Sequence, residues 1–393
     1  MKYVTLEEVC ENRTSNISQK DLKGNEGIYP IYGASGLIKK VDFYIQDKEY
    51  IGIVKDGAGV GRTMLLPSKS SVIGTMQYII PNGSLNIKYL YYALISKKLS
   101  KYSSGATIPH IYFRDYKKEK ILLISEIEQQ KIVSILDNIV SLIEKNKKRI
   151  ILLEELVKSR FIEMFFKNKK YIVMTLEQLT SNKKENLVRG PFGGSLKKDE
   201  FIEDGYLVYE QKHAIYSDFN YQKYYISKEK YQKMLRFKVE SGDLIVSCSG
   251  TLGKIAEIPK EYKEGIINQA LLKIKLDKNI INNKFFMVLF RMKYNEKELQ
   301  RVSLGSGISN FPSMKEVRNF DFIVPPLSLQ TEFSQFVEKT DKLKFRLFSS
   351  IILGKNLFKN LTLLIFLDNI RLVLELDKRN KNKKLNMGVK KDV

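Results

Sequence analysis

An internal repeat constrains the fold of this chain more than any other feature of its sequence. Residues 4–9 (VTLEEV) match residues 173–179 (VMTLEQL), with Leu6 and Leu176 separated by 170 positions. Ile53-Val54 matches Ile245-Val246 at a separation of 192, and the residues around Ile124 match those around Val324 at 200. The separations grow steadily along the chain, as insertions in a second copy would make them. The sequence therefore predicts two copies of one folding unit.

Each copy shows the same order of secondary-structure signals. Short β-branched or aromatic runs are separated by Gly, Asn, Asp and Ser, which is typical of strands and turns. A shorter helix follows, predicted over residues 87–99 in the first copy and 283–299 in the second. A long helical segment then ends each copy.

The first long helical segment, residues 125–166, carries a heptad seam. Its apolar positions alternate at steps of four and three residues, with one asparagine among them: Ile132, Leu136, Ile139, Ile143, Asn146, Ile150, Leu153 and Val157. Such a seam predicts a coiled coil, in which a polar Asn can fix register. Ser125 and Glu128 have capping-box spacing at its start. A single amphipathic helix packed on its own domain is the alternative.

The second long segment has a less regular seam, interrupted by Gly354, with the apolar residues Phe333, Phe336, Val337, Leu343, Leu347, Leu353, Leu357 and Leu361. From these we select Phe336, Leu343, Leu353 and Leu357 for the helix interface. Each long helix is the natural partner of the other. We therefore predict an α+β fold in which two globular domains of mixed strands and short helices are joined by two long antiparallel coiled-coil helices. The predicted boundaries are 1–124 and 173–324 for the globules, 125–166 and 325–370 for the helices, 167–172 for a linker and 371–393 for a basic tail.

Charge and composition narrow the class of protein. Lys and Arg number 67 and Asp and Glu 44, so the net charge is 67 − 44 = +23, which favours a polyanionic partner such as nucleic acid. An AT-rich genome, in which Lys is abundant, would explain part of this charge. Two cysteines and two histidines predict a reducing compartment and no structural zinc. The apolar run 361–367 is too short to span a bilayer, so we expect a cytoplasmic protein without membrane contact.

The sequence offers no motif for catalysis. Residues 56–63 (DGAGVGRT) resemble a phosphate loop, but the spacing of their glycines is wrong and Arg62 stands where the motif has Lys. We also find no methyltransferase or nuclease motif. We therefore predict no catalytic residue, cofactor or metal in this chain, and expect Arg62 and Lys254 to lie on tight turns where they can meet phosphate.

Polar and cationic residues recur near Gly-rich turns in both globules. Gln and Asn can bond adenine edges, Arg and Lys guanine edges, and Ser or Thr the phosphates. The predicted DNA-binding residues are Lys55, Arg62, Thr75, Gln77 and Arg114 in the first globule and Arg189, Ser195, Lys197, Gln211, Lys212, Ser249, Lys254, Asn268, Gln269 and Asn310 in the second.

Several ordered motifs resemble one known family. They include residues 190–196 (GPFGGSL), 242–254 (GDLIVSCSGTLGK), 266–270 (IINQA) and 324–330 (VPPLSLQ), and, in the first copy, 29–36 (YPIYGASG), 74–77 (GTMQ) and 126–133 (EIEQQKIV). Together they are similar to the DNA-specificity subunit of Type I restriction–modification systems, over roughly residues 1–360.

The resemblance implies two target-recognition domains, each reading one half of a split, double-stranded DNA target. It also implies two spacer helices that dock two methyltransferase subunits, which motor–nuclease restriction subunits join. S-adenosylmethionine, ATP and Mg are then expected in the partner subunits. One departure is visible: the second helix lacks a counterpart to residues 158–161 (KSRF) of the first. A coiled-coil adaptor and a self-sufficient DNA-modifying enzyme remain the alternative functions.

Overall fold

The computed structural model describes residues 2–83, 85–105, 107–166, 170–192, 194–294 and 311–368. The first globule contains nine strands: β1 (Lys2–Thr5), β2 (Cys10–Thr14), β3 (Tyr29–Gly33), β4 (Gly36–Val41), β5 (Tyr50–Val54), β6 (Thr63–Leu66), β7 (Ser71–Val72), β8 (Met76–Pro81) and β9 (Lys120–Leu123). Its short helices are α1 (Leu6–Val9), α2 (Ile87–Lys97) and α3 (Phe113–Tyr116), and the first long helix, α4 (Glu126–Phe165), follows.

The described part of the second globule also contains nine strands: β10 (Ile172–Thr175), β11 (Leu187–Arg189), β12 (Tyr206–Tyr209), β13 (Tyr225–Ile226), β14 (Leu244–Ser247), β15 (Ile255–Glu257), β16 (Gly265–Ile267), β17 (Leu271–Ile274) and β18 (Asp321–Val324). Its short helices are α5 (Leu176–Leu179), α6 (Gln211–Tyr216), α7 (Lys228–Lys233), α8 (Asn283–Lys293) and α9 (Met314–Arg318). The second long helix, α10 (Leu327–Leu363), ends in a π-helical turn, Leu364–Asp368. Predicted helical residues 295–299 and the tail 371–393 lie outside the described ranges.

The sheets repeat in the same strand order, which confirms the duplication. The four-stranded sheet has the order β2-β8-β5-β6 in the first globule and β11-β17-β14-β15 in the second. The three-stranded sheets are β4-β3-β7 and β13-β12-β16, and each contains one parallel pair. Two-stranded ribbons, β1-β9 and β10-β18, lie where each globule meets its long helix. The predicted α+β class is thus confirmed.

Each globule folds around its own apolar core. In the first, Ile51, Ile53 and Ile79 of the four-stranded sheet pack with Tyr89 and Leu90 of α2. In the second, β14 and β17 pack against α8, whose Phe285, Phe286 and Phe290 are fully buried. Burying one such side chain stabilises the fold by about 1.5–3 kcal/mol. The β-branched and aromatic runs in the sequence therefore supply the cores.

The chain divides into two compact units, residues 1–150 with 346–393 and residues 151–345. This division passes through both long helices, so each unit holds one globule and one half of each helix. No long helix within the described ranges is apolar enough to cross a membrane.

Within the first unit, α4 and α10 pack antiparallel. Ile143 lies against Gly354, and the Asn146 Nδ2 donates a hydrogen bond to the Ser350 Oγ at 3.1 Å. Ile351 is buried in the same small cluster as Ile143 and Ile150. The polar seam position thus has a specific partner, which fixes the register of the two helices.

Gly354 is a member of this seam rather than the interruption expected from the sequence. A Cβ atom placed there would stand 3.0 Å from the Ile143 Cγ1, closer than side chains normally approach. The missing side chain therefore lets the two helices approach each other at this level.

Within the second unit, the other halves of the helices also pack antiparallel. The rings of Phe161 and Phe333 have their centroids 5.3 Å apart, and Val157 and Val337 belong to the same core. An exposed ion pair joins Arg160 to Glu332 at 3.2 Å.

The selected seam residues of α4 agree with its packing. Ile132, Leu136, Ile143, Asn146, Ile150 and Val157 are buried, and Ile139 and Leu153 are half-buried. Helix α4 also begins with the predicted capping box, since the Ser125 Oγ contacts the Glu128 Oε2 at 2.8 Å.

The seam selected for α10 is mostly wrong. Leu343, Leu353 and Leu357 are 48%, 70% and 47% exposed, and of the four selected residues only Phe336 is half-buried against a core. The buried line runs through Phe333, Val337, Thr340, Leu347, Ile351 and Gly354, at steps of four, three, seven, four and three. Phe333, Val337 and Leu347 were among the apolar residues predicted for this segment and do lie on the line. Threonine and glycine occupy two of its other positions and carry no large apolar side chain that would mark it.

The C-terminal end of α10, which lacks a counterpart to residues 158–161 of α4, packs against the core of the first globule. Phe358 packs edge-on against Tyr92, and Phe366 packs at a tilt against Tyr89, with ring centroids 5.7 and 5.2 Å apart. Ile365 is buried in the first core. Phe161 and Phe165 of α4 make the corresponding contacts with the second core. Different residues thus anchor the two helix ends in the same way.

Candidate nucleic-acid interface

Each globule has an open cleft at the carboxyl ends of its parallel strand pair. In the first globule, a cleft of about 500 Å³ lies between the β3–β4 turn (33–36), residues 56–59 and Thr75. In the second, a cleft of about 320 Å³ is lined by Pro191, Glu210, Asn268, Gln269 and two aromatic residues. The carboxyl ends of parallel strands are where open α/β sheets often bind ligands. The repeat thus places one concave surface on each globule.

Three predicted residues of the first globule come together at its cleft. The Thr75 backbone oxygen accepts a hydrogen bond from the Lys55 backbone N–H at 2.9 Å, which joins the ends of β5 and β8. The exposed Arg62 side chain donates through Nη1 to the Ala34 backbone oxygen at 2.7 Å, across the cleft edge. Arg62 therefore stands in a fixed position with further N–H groups available for an anion.

The turn that carries Arg62 depends on Gly61. This glycine has φ +80°, and a Cβ there would lie 2.4 Å from the Ser100 backbone nitrogen. Only glycine fits this close approach. The turn is therefore a structural feature that presents Arg62, in line with the sequence reading of residues 56–63 as a tight turn.

Gln77 does not line the cleft, contrary to the prediction. It lies on β8 and is 1% exposed, in the interior of the first globule. Gln77 pairs with Thr14 and Ile53 in the centre of the sheet, so its side chain cannot reach a DNA base without unfolding. Arg114, in contrast, is exposed on α3, with its guanidinium 4.8 Å from the Tyr112 ring centroid.

In the second globule, two predicted amides meet at the cleft. Asn268 and Gln269 follow β16, and the Asn268 Oδ1 accepts a hydrogen bond from the Ala270 N–H at 3.0 Å. The side chain of Gln269 is exposed. On the opposite wall Phe201 and Tyr224 stack with their ring centroids 4.8 Å apart. An amide beside stacked rings suits a flat heteroaromatic group such as a nucleobase.

Arg189 and Gln211 lie next to this cleft. The Arg189 guanidinium lies over the rings of Phe192 and Phe311, at 5.3 and 5.7 Å, and its Nη2 donates to the Cys248 backbone oxygen at 3.4 Å. Within the described ranges, no hydrogen-bond partner reaches the buried Arg189 Nε or Gln211 Oε1. Polar atoms of this kind usually require a partner.

The remaining predicted residues of the second globule are spread over its surface. Ser195, Lys197, Lys212, Ser249 and Lys254 are all exposed. The Lys212 Nζ lies 4.8 Å from the Tyr221 ring centroid, and the Lys254 backbone N–H donates to the Ser247 Oγ at 3.0 Å. Asn310 lies outside the described residues.

The thiols of the chain are unsuited to nucleophilic chemistry. Burial raises the pKa of Cys10 and of Cys248 to about 12, and for Cys248 the nearby Arg189 opposes that rise only in part. A thiol with so high a pKa is protonated at neutral pH and unreactive. Among the described residues, no cluster of three or more His, Cys, Asp or Glu could hold a metal ion.

Sequence reasoning missed three components of the clefts. Glu210, which directly precedes Gln211, was not predicted because the candidates were cationic, amide and hydroxyl residues and included no acidic one. The stack of Phe201 on Tyr224 was not selected because aromatic residues in a strand-rich domain are usually core. Their separation of 23 positions gives no local signal.

Comparisons with known proteins agree with this arrangement. The family model described as "Type I restriction modification DNA specificity domain" matches residues 1–155 and 192–352. The chain is 24% identical, over 349 residues, to the Type I restriction enzyme MjaIX specificity subunit of Methanocaldococcus jannaschii, covering 82% of this chain and 78% of that protein.

Two solved structures share the fold. One is the S subunit of a Type I restriction–modification system from M. genitalium, with a TM-score of 0.59 and 18% identity, covering 91% of this chain and 95% of that one. The other comes from a structural study of complex assembly in the Type I R-M system, with a TM-score of 0.57 and 14% identity, covering 94% and 98%.

The family match covers most of both copies of the repeat and the larger part of each long helix. It confirms the resemblance drawn from the motifs around the Gly-rich turns and helix starts. The chain belongs to the Type I restriction–modification DNA-specificity family, whose members are the non-catalytic, DNA-recognising subunits of these systems.

Proposed function

We propose that each globule of this chain reads one half of a bipartite double-stranded DNA target, and that the two long helices set the gap between the halves. The observation that carries this proposal is the repetition of one sheet arrangement, with a cleft at the same place in each copy. Two globules whose clefts have different linings would recognise two different half-site sequences.

Phosphate contacts would supply most of the binding free energy. The net charge is +23, and Arg62, Lys212 and Lys254 are exposed on the globules. Lysine and arginine contacts of this kind release counterions, so binding weakens steeply as salt rises. We expect the purified chain alone to bind DNA weakly and with little sequence preference, because its partners are missing.

The helices also present apolar residues that the described part of the chain leaves exposed. In the half of the helix pair that belongs to the first unit, Leu142, Phe348, Ile352, Leu353 and Leu357 are exposed. In the other half, Ile151, Leu152, Leu156, Ile162, Leu343 and Phe345 are exposed. Contiguous exposed apolar residues mark protein interfaces. We assign these faces to two methyltransferase subunits, one for each half of the repeat.

Motor–nuclease subunits would then join the complex, and S-adenosylmethionine, ATP and Mg would be bound by the partners. Free, buried cysteines and a DNA substrate support a cytoplasmic location for such a complex.

Heptad insertions test the role of the helices. Seven residues added after Lys147 and seven after Phe348 keep the seam in phase and lengthen each helix by about 10 Å. The unread gap of the methylated target should grow by about three base pairs, at ~3.4 Å each, with unchanged half-sites. An unchanged gap in an active complex would refute the proposal, and a single four-residue insertion, which breaks the seam, is the control for general disruption.

A double substitution tests the docking faces. Ile352→Glu with Leu353→Glu should lower the number of methyltransferase subunits that co-purify with each chain from two to one, because the face on the other half of the helix pair is unchanged. The thermal unfolding temperature of the isolated chain should stay within a few degrees. Lys355→Glu, at an exposed polar position of the same turn, is the matched control. Normal assembly of the double variant would exclude this face as the docking surface.

A further inference from the structure

One buried glutamine occupies the first turn of each long helix, and neither takes part in a cleft or in the helix seam. Gln129 of α4 is 2% exposed and Gln330 of α10 is fully buried. Both belong to motifs that identified the family, residues 126–133 and 324–330. A buried side-chain amide needs hydrogen-bond partners, so its contacts indicate what it does.

Gln129 bridges two separate segments of the first globule. Its Oε1 accepts a hydrogen bond from the Asn86 backbone N–H at 2.7 Å, and its Nε2 donates to the Ile124 backbone oxygen at 3.0 Å. Asn86 is the N-cap of α2, with its side chain bonded to the Lys88 and Tyr89 N–H groups. Ile124 lies between β9 and α4. One amide thus joins α2, the β9–α4 junction and α4.

Gln330 makes the same bridge in the second globule. Its Oε1 accepts from the Asn282 backbone N–H at 2.8 Å, and its Nε2 donates to the Pro325 and Ile280 backbone oxygens at 2.7 and 3.1 Å. Asn282 is the N-cap of α8, and Pro325 lies between β18 and α10. The Ser334 Oγ adds a contact to the Asn282 Oδ1 at 2.8 Å.

Each bridge lies where the chain leaves the last strand of a globule and enters the long helix that follows it. A helix connected by a two-residue junction could pivot unless a second contact fixes its angle. Apolar packing of Ile132 and Leu136 on the first core, and of Phe333 and Val337 on the second, holds each helix against its globule. The glutamine adds a directional contact, because it joins the N-cap asparagine of the shorter helix to a backbone oxygen of the junction. Both ends of the bridge are backbone atoms, so the bond constrains backbone geometry directly.

We propose that Gln129 and Gln330 are positioning residues that fix the angle of each DNA-reading globule on its spacer helix, and thereby the gap length that the complex accepts. The inference rests on the proposed bipartite reading and deepens it. Neither glutamine touches DNA in this account. Removing a bridge should therefore leave the half-site sequence intact and relax the preference for one gap.

The test uses the complex of the full chain with its methyltransferase subunits. Gln129→Met and Gln330→Met keep the volume of the side chain and remove both kinds of hydrogen bond. Methylation rates are measured on a series of DNA duplexes that carry the wild-type half-sites with gaps from two base pairs shorter to two longer. The readout is the methylation rate on a duplex with a shorter or longer gap, divided by the rate on the duplex with the native gap.

We expect each Met variant to raise that ratio by about tenfold, the discrimination that one or two buried hydrogen bonds would provide. Gln335→Ala, at an exposed glutamine of α10 outside both bridges, should leave it unchanged. If a Met variant fails to fold, Gln129→Glu keeps the acceptor for the Asn86 N–H but cannot donate to Ile124, and should still relax the gap preference.

The outcomes separate the two proposals. A wild-type complex that methylates no two-part target would overturn the proposed function and this inference together. A two-part target with the same gap profile for wild type and variants would overturn this inference alone, as would a change in the half-site sequence.

Discussion

The two globules share their framework and differ in what lines their clefts. Both have the same three sheets in the same order. In the first, β3 returns directly through the tight 33–36 turn into β4, and the cleft is lined by glycines, Asp56 and Arg62. In the second, α6 stands between β12 and β13, and the cleft is lined by Glu210, two amides and an aromatic stack.

This difference indicates that the buried framework of a globule and the residues that line its cleft can vary independently. Buried β-branched and aromatic residues define the sheets, while exposed residues on turns and insertions define the clefts. A duplicated gene can therefore change one cleft without disturbing the other. The predictions below test whether framework and cleft vary independently, in order of decreasing effect.

Exchanging one globule should replace one half of the target. If residues 1–124 are exchanged for the first globule of another family member, methylation of the original target should fall by ~100-fold or more, since each mismatched base pair costs about 1–3 kcal/mol. Sequencing of methylated DNA should show one new half-site and one unchanged half-site. A change in both halves would contradict modular reading.

Truncating a buried seam residue of α10 should destabilise the chain, whereas truncating its exposed neighbour should not. Ile351 is 6% exposed and its neighbour Ile352 is 60% exposed. Ile351→Ala should lower the free energy of unfolding by about 2–5 kcal/mol through lost burial and a cavity. Ile352→Ala should change it by less than about 0.5 kcal/mol. Urea denaturation of the isolated chain measures both, and equal effects would mean that the seam is misplaced.

Substitutions of Gln77 in the first globule and of Gln269 in the second should have different effects, one on stability and one on base recognition. Gln269→Ala removes an exposed cleft amide and should cost about 1–3 kcal/mol of discrimination at one base pair of one half-site. Gln77→Leu replaces a buried amide and should alter thermal stability without altering the methylated motif. Competition assays with single-base variants of the target measure the first effect, and differential scanning calorimetry the second.

Single cationic residues should affect salt dependence rather than sequence preference. Arg62→Ala and Lys254→Ala should each weaken binding about equally to all DNA sequences and reduce the slope of log K against log salt by about one. Fluorescence anisotropy between 50 and 200 mM salt measures this slope with a labelled duplex. Loss of preference for a particular base pair would instead assign base reading to these residues.

The smallest effect concerns the two thiols, one in each globule. Burial raises the pKa of both to about 12, so at pH 8 each stays protonated and only about one molecule in ten thousand carries a thiolate. Iodoacetamide should therefore leave the native chain unmodified and alkylate both cysteines in guanidinium chloride. Rapid alkylation of one cysteine in the native chain would show that its globule opens locally.

The sequence predicts the framework well because burial leaves a periodic signal. The heptad steps from Ile132 to Val157 follow from the geometry of a helix with one buried face. The same reasoning misjudges α10, because Thr340 and Gly354 are small residues in the seam while Leu353 is large and exposed. A seam built by close approach of helices has no large residue to mark it.

The clefts are less predictable than the framework. Gln77 and Gln269 are the same residue type in corresponding regions, and only the three-dimensional strand order shows that one is interior and the other exposed. The Gln129 bridge joins positions 43 residues apart, so no local pattern reveals it. Residue type indicates what a side chain can bind, but its accessibility depends on the fold.

Mapping of methylated DNA in the source cell, with and without this gene, tests the central claim most directly. The account predicts one bipartite motif, two defined half-sites at a fixed gap, that is present with the gene and lost without it. The same motif persisting after deletion, or a continuous motif in its place, would contradict the claim that the two globules of this chain select the target.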